Sequence, residues 1–547
     1  MNKNYIMWKE KNDLEDYLRE EIENMTELEI NENFGKDLEF GTAGLRGILG
    51  AGTNKMNIYI VRKITIGLAM FLQEKYKDEK ISVAIAYDSR NFSKEFCEIV
   101  TKVLATFGIY SYVYDDVKPT PLLSYLLRKT NSKAGIMITA SHNPKEYNGY
   151  KVYNETGCQI SEEEAKEITK HIEKITNIFD FNYKNNVNDY KTIIKEEIEN
   201  EYINEIKELS NKNLDKNIKI VFTPEHGTSY KVFPKLLKAC NYNNIINVEE
   251  QMLPDGNFTN TKSSNPEEEI AFELALEYAK KNDADLIIAN DPDADRLGIM
   301  CKKTLNSNEY IALTGNQTGT LMIDYLINQG KDLKDKILYK TIVTGEMGAN
   351  IARKNNILVK ELLTGFKYIG EQIEQLNNKN NFFFGYEESY GYLINPIVRD
   401  KDALQAGLLI ADMCSYYQKQ GITLYEKLLS LYQEVGFYEE ITYSITLKGM
   451  EGIEKIKKAI NYFRENQVDK ILDIEVEKRI DYLNDNTELP KSNVIKLYLK
   501  NYGWVVLRPS GTEPKLKIYI SIKENSLEKA KTLNKKLYDE IIKIIGL

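Results

Sequence analysis

The sequence of 547 residues contains no long apolar run, and no window approaches the ~20 apolar residues that a membrane-spanning helix needs. Its first residues, MNKNYIMWKEKNDLEDYL, carry acids and lysines where a signal peptide would have its apolar core. We therefore expect no membrane insertion and no export, and we predict a cytoplasmic protein. Low-complexity tracts are absent too, and a composition of 42% hydrophobic and 28% charged residues is that of an ordinary globular protein.

Cysteine and net positive charge are also scarce. The five cysteines are scattered and never in CxxC spacing, which argues against a disulfide framework and against a zinc site. A formal net charge of -9 disfavours a nucleic-acid partner, because phosphates usually demand a basic face. Neither GxGxxG nor the phosphate-loop pattern GxxxxGKS/T occurs, so nucleotide binding finds no support.

Strand-like and helix-like segments alternate along most of the chain. From Lys80, apolar runs such as ISVAIAY and AGIMI are separated by segments of helical periodicity, which is typical of right-handed βαβ units and a mostly parallel sheet. The same order begins again at Asn217 and a third time near KILYKTIV. We predict an α/β protein with three related α/β domains, whose sheets are mixed and mostly parallel.

The last quarter of the chain has a different pattern. After about Thr442, charged helical segments lead to strand-like runs and a closing helix, which indicates a smaller C-terminal α+β domain. The polar stretches 190–209 and 441–452 are interpreted as helical linkers.

A serine and a histidine lie where a binding site is expected. In TASHNPKEYNGYKVY, Ser141 and His142 directly follow the predicted strand AGIMI, and parallel α/β sheets bind ligands beyond the carboxyl ends of their strands. No GxSxG elbow surrounds Ser141, and a histidine adjacent in sequence generally cannot serve as its triad base, so a serine hydrolase is disfavoured. The residues alone leave two interpretations of Ser141, a nucleophile or a capped turn.

Three carboxylates follow another predicted strand. In NDPDADRLG, Asp291, Asp293 and Asp295 occupy alternate positions and would repel one another unless a cation joined them. We predict a divalent metal site rather than a solvated acidic turn. An EF-hand is excluded because its sixth position is Arg296 instead of glycine, and this arginine indicates that an anion also approaches. A phosphorylated Ser141 would give Mg²⁺ an oxygen ligand and would carry a transferable phosphoryl group.

Two further loops suit a phosphate and a sugar. LRPSGTEPKLK combines backbone N–H groups, hydroxyls and a guanidinium in a tight turn that suits a dianionic phosphate, the alternative being a plain hairpin. Its candidate ligands are Arg508, Ser510, Gly511 and Thr512. In FGYEESYGY, Glu387 and Ser389 suit vicinal hydroxyls, the alternative being a solvated acidic loop.

Other charged side chains are less specific candidates. Arg46 in FGTAGLRG lies among glycines that permit close backbone approach to an anion. Lys151 and Lys367 are either charge partners or surface lysines. His226 in TPEHGT also follows a predicted strand, and its role stays open.

Four motifs in this order, TASHNP, DPDADR, GYEESYG and RPSGTEPK, resemble those of the α-D-phosphohexomutase superfamily, and the match covers essentially the whole chain. FGTAGLRG, TGFKYIG and EESYG look most like the phosphoglucomutases of the branch that also contains phosphopentomutases. Phosphoglucosamine and phosphomannose mutases usually differ at the third motif. Tyr386 departs from many relatives, which have glutamate directly after the glycine.

The resemblance implies four domains around a central cleft. We expect a domain with the phosphoserine loop at 1–208, one with the metal-binding loop at 209–325, one with the sugar-binding loop at 326–440, and one with the phosphate-binding loop at 441–547. It also implies that Ser141 is the phosphoserine and that Ser141, Asp291, Asp293 and Asp295 hold Mg²⁺. Arg46, His142 and Lys151 match catalytic positions. The implied substrate contacts are Arg296, Lys367, Glu387, Ser389, Arg508, Ser510, Gly511 and Thr512.

The implied activity is that of a phosphoglucomutase. Such an enzyme interconverts glucose 1-phosphate and glucose 6-phosphate through the phosphoserine, with glucose 1,6-bisphosphate as intermediate and primer. The alternatives are a phosphopentomutase acting on ribose or deoxyribose 1-phosphate and, ranked below it, a phosphomannomutase. A non-catalytic sugar-phosphate binding protein and a metal-dependent phosphatase are rivals from other classes. The expected partner is a small sugar phosphate, bound by a monomer or small homo-oligomer.

Overall fold

The structure is a computed structural model that describes residues 2–42, 44–330, 332–447, 449–466, 468–510 and 515–546. Its strands form four sheets with six, five, four and six strands in chain order. Three of the sheets mix parallel and antiparallel pairs, and the fourth is antiparallel throughout, so the predicted fold class is confirmed. In the part of the chain that the structure describes, no helix is long and apolar enough to cross a membrane.

The first unit surrounds the six-stranded sheet near the amino terminus. Its strands are β1 (Leu45–Ile48), β2 (Ser82–Tyr87), β3 (Tyr110–Tyr114), β4 (Ala134–Ile138), β5 (Tyr147–Asn154) and β6 (Lys191–Ile194), in the sheet order β1-β5-β4-β2-β3-β6. Its helices are α1 (Lys3–Lys9), α2 (Asp16–Glu23), α3 (Glu27–Phe34), α4 (Ile58–Lys75), α5 (Ser93–Thr106), α6 (Thr120–Lys129), α7 (Glu162–Glu173) and α8 (Glu196–Ile206). Because β2 and β4 are parallel neighbours, the loops that follow them lie at the same edge of the sheet.

The second unit has a five-stranded sheet. Its elements are β7 (Ile220–Thr223), α9 (Val232–Ala239), β8 (Ile245–Asn247), α10 (Glu249–Met252), α11 (Glu273–Asn282), β9 (Leu286–Asn290), β10 (Leu297–Lys302) and β11 (Tyr310–Leu313), in the sheet order β11-β10-β9-β7-β8. Strand β9 is buried along its length and is antiparallel to β10. A short turn, residues 291–296, therefore joins the two strands at the edge of the sheet.

The third unit has a four-stranded sheet with the order β13-β12-β14-β15. Its elements are α12 (Gly315–Asn328), β12 (Ile337–Thr341), α13 (Glu346–Lys354), β13 (Leu358–Leu362), α14 (Phe366–Gln375), β14 (Phe382–Glu387), β15 (Gly391–Leu393), α15 (Ala403–Lys419) and α16 (Leu424–Val435). The helix predicted from Asp402 is α15, and Asp402 caps it by accepting hydrogen bonds from the backbone N–H groups of Leu404 and Gln405.

The fourth unit is an antiparallel sheet covered by two helices. Its elements are β16 (Phe437–Thr446), α17 (Gly449–Glu465), β17 (Lys470–Ile471), β18 (Ile474–Asp481), β19 (Ile495–Leu499), β20 (Gly503–Pro509), β21 (Lys515–Glu524) and α18 (Leu527–Ile545), in the sheet order β16-β21-β20-β19-β18-β17. Short 3-10 turns elsewhere in the chain span Val187–Tyr190, Lys207–Leu209, Thr228–Tyr230, Glu269–Phe272 and Lys379–Asn381.

Apolar packing joins the first three units more extensively than it joins the fourth. One buried cluster runs through all three sheets and includes Leu126, Phe222 and Phe384. The fourth unit has its own core and meets the third through a smaller cluster that includes Ile342 and Trp504. The first three units therefore form the larger packed body, with the fourth unit attached at one side.

Two stretches that were predicted as helical contain strands. Residues 191–194 form β6, which extends the first sheet by pairing with β3. Residues 441–446 belong to β16, which begins at Phe437 and pairs with β21 over its whole length. In both cases the strand forms because it can hydrogen-bond to a partner strand. The local sequence is polar and did not indicate this pairing.

Candidate functional site

A cleft of about 830 Å³ lies between the four units, and each unit contributes to its lining. The predicted site residues that line it are Arg46, Ser141, His142, Lys151, Asp295, Arg296, Glu387, Ser389 and Arg508. The structure therefore brings together one predicted motif from each unit.

Ser141 lies in the loop that follows β4, buried against the second unit. Its Oγ donates a hydrogen bond to Asp291 Oδ2 at 2.8 Å and lies 3.3 Å from His142 Nδ1. Its backbone has φ +54°, in the left-handed region that a residue with a side chain rarely adopts. The N–H of Ser141 donates to Thr139 Oγ1 at 2.8 Å, which supports this conformation. The strained loop places the hydroxyl beside the carboxylate cluster.

Asp291, Asp293 and Asp295 converge in the turn between β9 and β10. All three are buried, and one carboxylate oxygen of each lies within 4.8 Å of those of the other two. Asp291 Oδ1 accepts hydrogen bonds from the backbone N–H groups of Asp295 at 3.1 Å and Arg296 at 2.9 Å, which holds the turn closed. Burial, and next the repulsion from Asp293 and Asp295, hold the pKa of Asp291 well above its usual range.

The donor set of this cluster fits a divalent cation. Asp293 Oδ1 and Asp295 Oδ1 are buried and have no hydrogen-bond partner among the described residues. Buried carboxylate oxygens without partners are costly, and a cation would both coordinate them and cancel the mutual repulsion. Hard oxygen donors of this kind suit Mg²⁺, which keeps positions for water and phosphate oxygens.

Lys151 belongs to this cluster and is not a surface lysine. Its Nζ lies 2.7 Å from Asp293 Oδ2 and 3.2 Å from Asp295 Oδ2, and its side chain is buried. Burial works against a charged ammonium, but the two carboxylates outweigh it and raise the pKa of Lys151. The lysine therefore places a fixed positive charge between the carboxylates and the cleft.

Lys401 is a second lysine of the cluster, and sequence reasoning missed it. Its Nζ lies 3.2 Å from Asp295 Oδ2 and 3.1 Å from Asp400 Oδ1. Asp400 Oδ2 in turn accepts hydrogen bonds from the Tyr153 hydroxyl and Gln159 Nε2, each at 2.8 Å. One signal in the sequence could have identified Lys401. It lies in RDKD, directly before the helix predicted from Asp402, and the other motifs lie at the same kind of junction.

His142 and Arg46 lie on the first-unit side of the cleft. Burial, then the positive charges of Arg296 and Arg46, hold the pKa of His142 well below its usual range, so its imidazole is neutral. Arg46 Nη1 donates to Asn143 Oδ1 at 2.8 Å, and much of the Arg46 side chain is exposed. Arg296 Nη1 instead pairs with Glu267 in the second unit. These residues combine a neutral imidazole with two guanidinium groups.

Glu387 and Ser389 line the cleft on the third-unit side. Glu387 Oε1 accepts a hydrogen bond from the Gly365 N–H at 3.0 Å. Burial raises the pKa of Glu387 to about 7, although Lys401 pulls it down. The adjacent Glu388 accepts hydrogen bonds from two threonine hydroxyls below the loop. The third motif thus places hydrogen-bonding side chains at the cleft, and their binding of sugar hydroxyls stays a prediction.

Two other residues of the third unit lie away from the cleft lining: Tyr386, where the sequence departs from the family motif, and Lys367, a predicted substrate contact. Tyr386 is fully buried in β14 and packs against Gly319, so the departure from the family motif at this position faces the core. Lys367 lies in the first turn of α14, with its Nζ 4.6 Å from the centre of the Tyr368 ring. Lys367 is buried and is not among the described residues that line the cleft.

The fourth unit contributes positive charge. Arg508 near the end of β20 lies opposite Lys517 of β21, and both line the cleft together with Lys515. The Ser510 N–H donates to the Lys515 carbonyl at 2.7 Å, which closes the base of the loop. Gly511 and Thr512 lie outside the described residues. Arg508, Lys515 and Lys517 thus place positively charged side chains at the cleft. The carboxylate cluster faces the same cleft.

The sequence left the role of His226 open, and the structure shows that its side chain holds a loop in place. Its Nδ1–H donates to the Leu253 carbonyl at 2.8 Å, and its Nε2 accepts from the Asn260 N–H at 3.2 Å. With both ring nitrogens engaged by the backbone, the side chain fixes the loop between these two residues.

The neighbouring Glu225 provides a pH-dependent prediction. It is fully buried, neither carboxylate oxygen has a hydrogen-bond partner among the described residues, and burial raises its pKa from 4.5 to about 8. Between these two pH values the unfolded chain has already released the proton that the folded chain retains, so stability falls as pH rises, by up to about 5 kcal/mol. Glutamine at position 225 cannot ionise. The unfolding temperature of Glu225→Gln minus that of the native protein should therefore increase steadily from pH 5 to pH 8.5.

Thermal unfolding across this pH range measures the effect. The exposed Glu10→Gln serves as control and should follow the native profile. Parallel pH profiles for the native protein and Glu225→Gln would contradict the prediction.

Comparisons with known proteins agree with the fold and the motifs. Family models described as phosphoglucomutase/phosphomannomutase match most of the chain: alpha/beta/alpha domain I at residues 37–179, domain II at 200–304, domain III at 314–434 and the C-terminal domain at 450–537. A phosphoglucomutase of Staphylococcus aureus (strain MRSA252) is 40% identical over 515 residues, which are 92% of each chain.

Solved structures show the same fold at low sequence identity. A putative phosphomannomutase from Thermus thermophilus matches with a TM-score of 0.70 and 18% identity, covering 94% of this chain and 100% of that one. The open form of pp63/parafusin, a phosphoglucomutase from Paramecium, matches with a TM-score of 0.69 and 18% identity, covering 94% and 97%. The chain belongs to the phosphoglucomutase/phosphomannomutase family. The resemblance to the phosphohexomutases is confirmed, and with it the enzyme class, an intramolecular phosphotransferase.

Proposed function

We propose that this enzyme is a phosphoglucomutase, which interconverts glucose 1-phosphate and glucose 6-phosphate through a phosphoserine at Ser141. The observation that carries the proposal is the 2.8 Å hydrogen bond from Ser141 Oγ to Asp291 Oδ2, which puts the hydroxyl at a buried carboxylate cluster inside the cleft. The choice of glucose is supported by the 40% identical relative, which is named as a phosphoglucomutase.

Ser141 is the proposed carrier of the phosphoryl group. The bond between Oγ and phosphorus breaks as a hydroxyl of the sugar monophosphate forms a new bond to the same phosphorus; the hydroxyl loses its proton and Oγ gains one, giving glucose 1,6-bisphosphate and a free Ser141 hydroxyl. The bisphosphate then turns over in the cleft and returns its other phosphoryl group to Ser141, so the net reaction is an isomerisation. Added glucose 1,6-bisphosphate phosphorylates enzyme that lacks the phosphoserine and thereby primes it.

Mg²⁺ would be held by Asp291, Asp293, Asp295 and Ser141, and when bound it would neutralise charge on the phosphoryl group. Lys151 adds positive charge next to the same carboxylates, and the neutral His142 lies within 3.3 Å of Ser141 Oγ. We propose that Arg46, His142 and Lys151 support proton movement and charge during transfer, mainly by position and electrostatics.

The remaining residues bind the substrate in this proposal. Glu387 accepts hydrogen bonds from sugar hydroxyls, Ser389 can accept or donate them, and Arg508 with Ser510 holds the phosphate that is not transferred. Arg296 is proposed to leave Glu267 for a phosphate oxygen. The same substrate-binding role for Lys367, Gly511 and Thr512 stays a prediction.

Arg508→Ala should weaken the binding of the phosphate that is not transferred. A charge-assisted hydrogen bond contributes about 1.5–3 kcal/mol, so we expect kcat/KM to fall about 10- to 100-fold. Steady-state kinetics measure this effect, with Arg479→Ala, an exposed arginine on the same sheet, as the control. Unchanged kinetics in Arg508→Ala would place the phosphate elsewhere.

Substrate choice is tested by kcat/KM on glucose 1-phosphate, ribose 1-phosphate and mannose 1-phosphate, with Mg²⁺ and glucose 1,6-bisphosphate present. A strong preference for glucose 1-phosphate supports the proposal. A preference for ribose would identify a phosphopentomutase, and one for mannose a phosphomannomutase, both with the same machinery. Steady release of inorganic phosphate would instead indicate a phosphatase.

A further inference from the structure

One buried arginine organises the loop that carries Ser141. The guanidinium of Arg90 has no exposed surface. Its Nη2 donates to the carbonyls of Ser141, at 2.6 Å, and Asn143. Its Nη1 donates to the carbonyls of Pro144 at 2.8 Å and Tyr147 at 3.0 Å. A single side chain thus accounts for four carbonyl groups in the seven residues that begin at Ser141.

Residues 141–146 lie between β4 and β5 outside any strand, so regular pairing does not reach most of these carbonyls, although the Pro144 carbonyl also accepts from the Tyr147 N–H at 3.0 Å. Ser141 itself has the strained φ of +54°, and Pro144 offers no N–H for a compensating turn. The planar guanidinium carries several donors in a fixed fork, so it can bind several carbonyls at once. An ammonium group has a different geometry and cannot reproduce this arrangement.

Arg90 is itself held from two sides. Its Nε lies 3.3 Å from Asp88 Oδ2, and Asp88 Oδ1 accepts hydrogen bonds from the Arg90 N–H at 2.9 Å and from the Ser93 hydroxyl at 2.7 Å. The guanidinium carbon lies 5.0 Å from the centre of the Phe258 ring, which belongs to the second unit. The arginine therefore has one defined position at the boundary of the two units.

Other contacts tie this loop and the neighbouring loop between β2 and α5 to the second unit. Asn91 Nδ2 donates to Asn257 Oδ1 at 3.0 Å, and the Ser264 hydroxyl donates to the His142 carbonyl at 3.3 Å. The second unit also carries the aspartate cluster, so these contacts link the position of the loop to the position of the cluster.

We propose that Arg90 is a positioning residue for phosphoryl transfer, which fixes the loop so that Ser141 Oγ stays beside Asp291. Arg90 acts through the backbone carbonyls and does not contact the substrate. The inference rests on the proposed function of Ser141 as the phosphoryl carrier and extends it to a residue outside the four family motifs.

The test compares Arg90→Lys with the native enzyme. Misplacement of a reacting group by about 1 Å can cost about 100-fold in rate, and we expect a loss of kcat of this order with little change in KM. The matched control is Arg62→Lys, because Arg62 also donates to a carbonyl in the first unit, that of Ile178 at 2.5 Å, away from the loop. This control should retain the native kcat.

A second readout separates positioning from a general contribution to folding. The rate at which Ser141 takes phosphate from glucose 1,6-bisphosphate is measured per folded chain by quench-flow and mass spectrometry. Slow phosphorylation of a folded Arg90→Lys protein supports the proposal. A native rate per folded chain overturns it, since the arginine would then contribute only stability, or only a charge that lysine restores.

Asp88→Asn keeps an oxygen for the local hydrogen bonds but loses the ion pair, and it provides the test if Arg90→Lys does not fold. A lowered kcat at unchanged KM supports positioning, and a native kcat overturns it. Failure of the underlying function is distinguishable, because the native enzyme itself would then carry no phosphate on Ser141.

Discussion

Ser141→Ala is expected to abolish mutase turnover, with a loss of about 10⁴-fold or more in kcat, because the acceptor for the phosphoryl group is gone. The fold should be retained, since among the described residues the hydroxyl has hydrogen-bond partners only in Asp291 and His142, and Ser141 lines the cleft. Removing a hydroxyl that donates to a crowded carboxylate costs little stability by comparison. Activity and thermal unfolding, measured on the same preparation, test both statements.

Phosphate incorporation makes this test specific. After incubation with glucose 1,6-bisphosphate, the native enzyme should carry one phosphate on the peptide that contains residue 141, and Ser141→Ala should carry none there. The exposed Ser430→Ala is the matched control and should retain both activity and phosphorylation. Substantial turnover in Ser141→Ala would refute the phosphoserine assignment.

The strands that carry the motifs could be predicted from the sequence because their signals are local. AGIMI is an apolar run that ends in a polar loop with a proline, and the structure has β4 there, with Ser141 three residues beyond its end. Strand β9 before Asp291 is similar. Where a strand depends on a distant partner, as β16 does on β21, its polar and charged residues gave no comparable signal.

The same distinction applies to the site. The motifs indicated Ser141 and the aspartates, since each lies in a short, unusual pattern of residues. Arg90 and Lys401 were missed because their partners are remote in the chain: Arg90 binds the loop that begins at Ser141, and Lys401 pairs with Asp295. Single basic residues carry no pattern of their own, so only the fold reveals their contacts.

The aspartate cluster leads to a prediction in which stability and activity change in opposite directions. Burial and the neighbouring carboxylates disfavour the ionised form of Asp291, and Asp291→Asn removes this cost, so in metal-free buffer at neutral pH the variant should unfold at a higher temperature than the native enzyme. The same substitution removes a cation ligand, and kcat should fall at least about 100-fold, because charge on the transferring phosphoryl group is no longer neutralised. Asp78→Asn, at an exposed turn, is the control for both measurements.

Mg²⁺ titration connects the two effects. Chelation should stop phosphoryl transfer in the native enzyme, and added Mg²⁺ should restore it. A cation that binds only the folded state stabilises it by about 2.7 kcal/mol at a concentration of 100 times Kd. We therefore expect Mg²⁺ to raise the unfolding temperature of the native enzyme and to have little effect on Asp291→Asn. Full activity of the native enzyme in metal-free buffer, or an equal Mg²⁺ effect on both proteins, would show that the cluster is not the metal site. Lys151, which pairs with Asp293 and Asp295, and Lys401, which pairs with Asp295, would then supply positive charge beside the cluster.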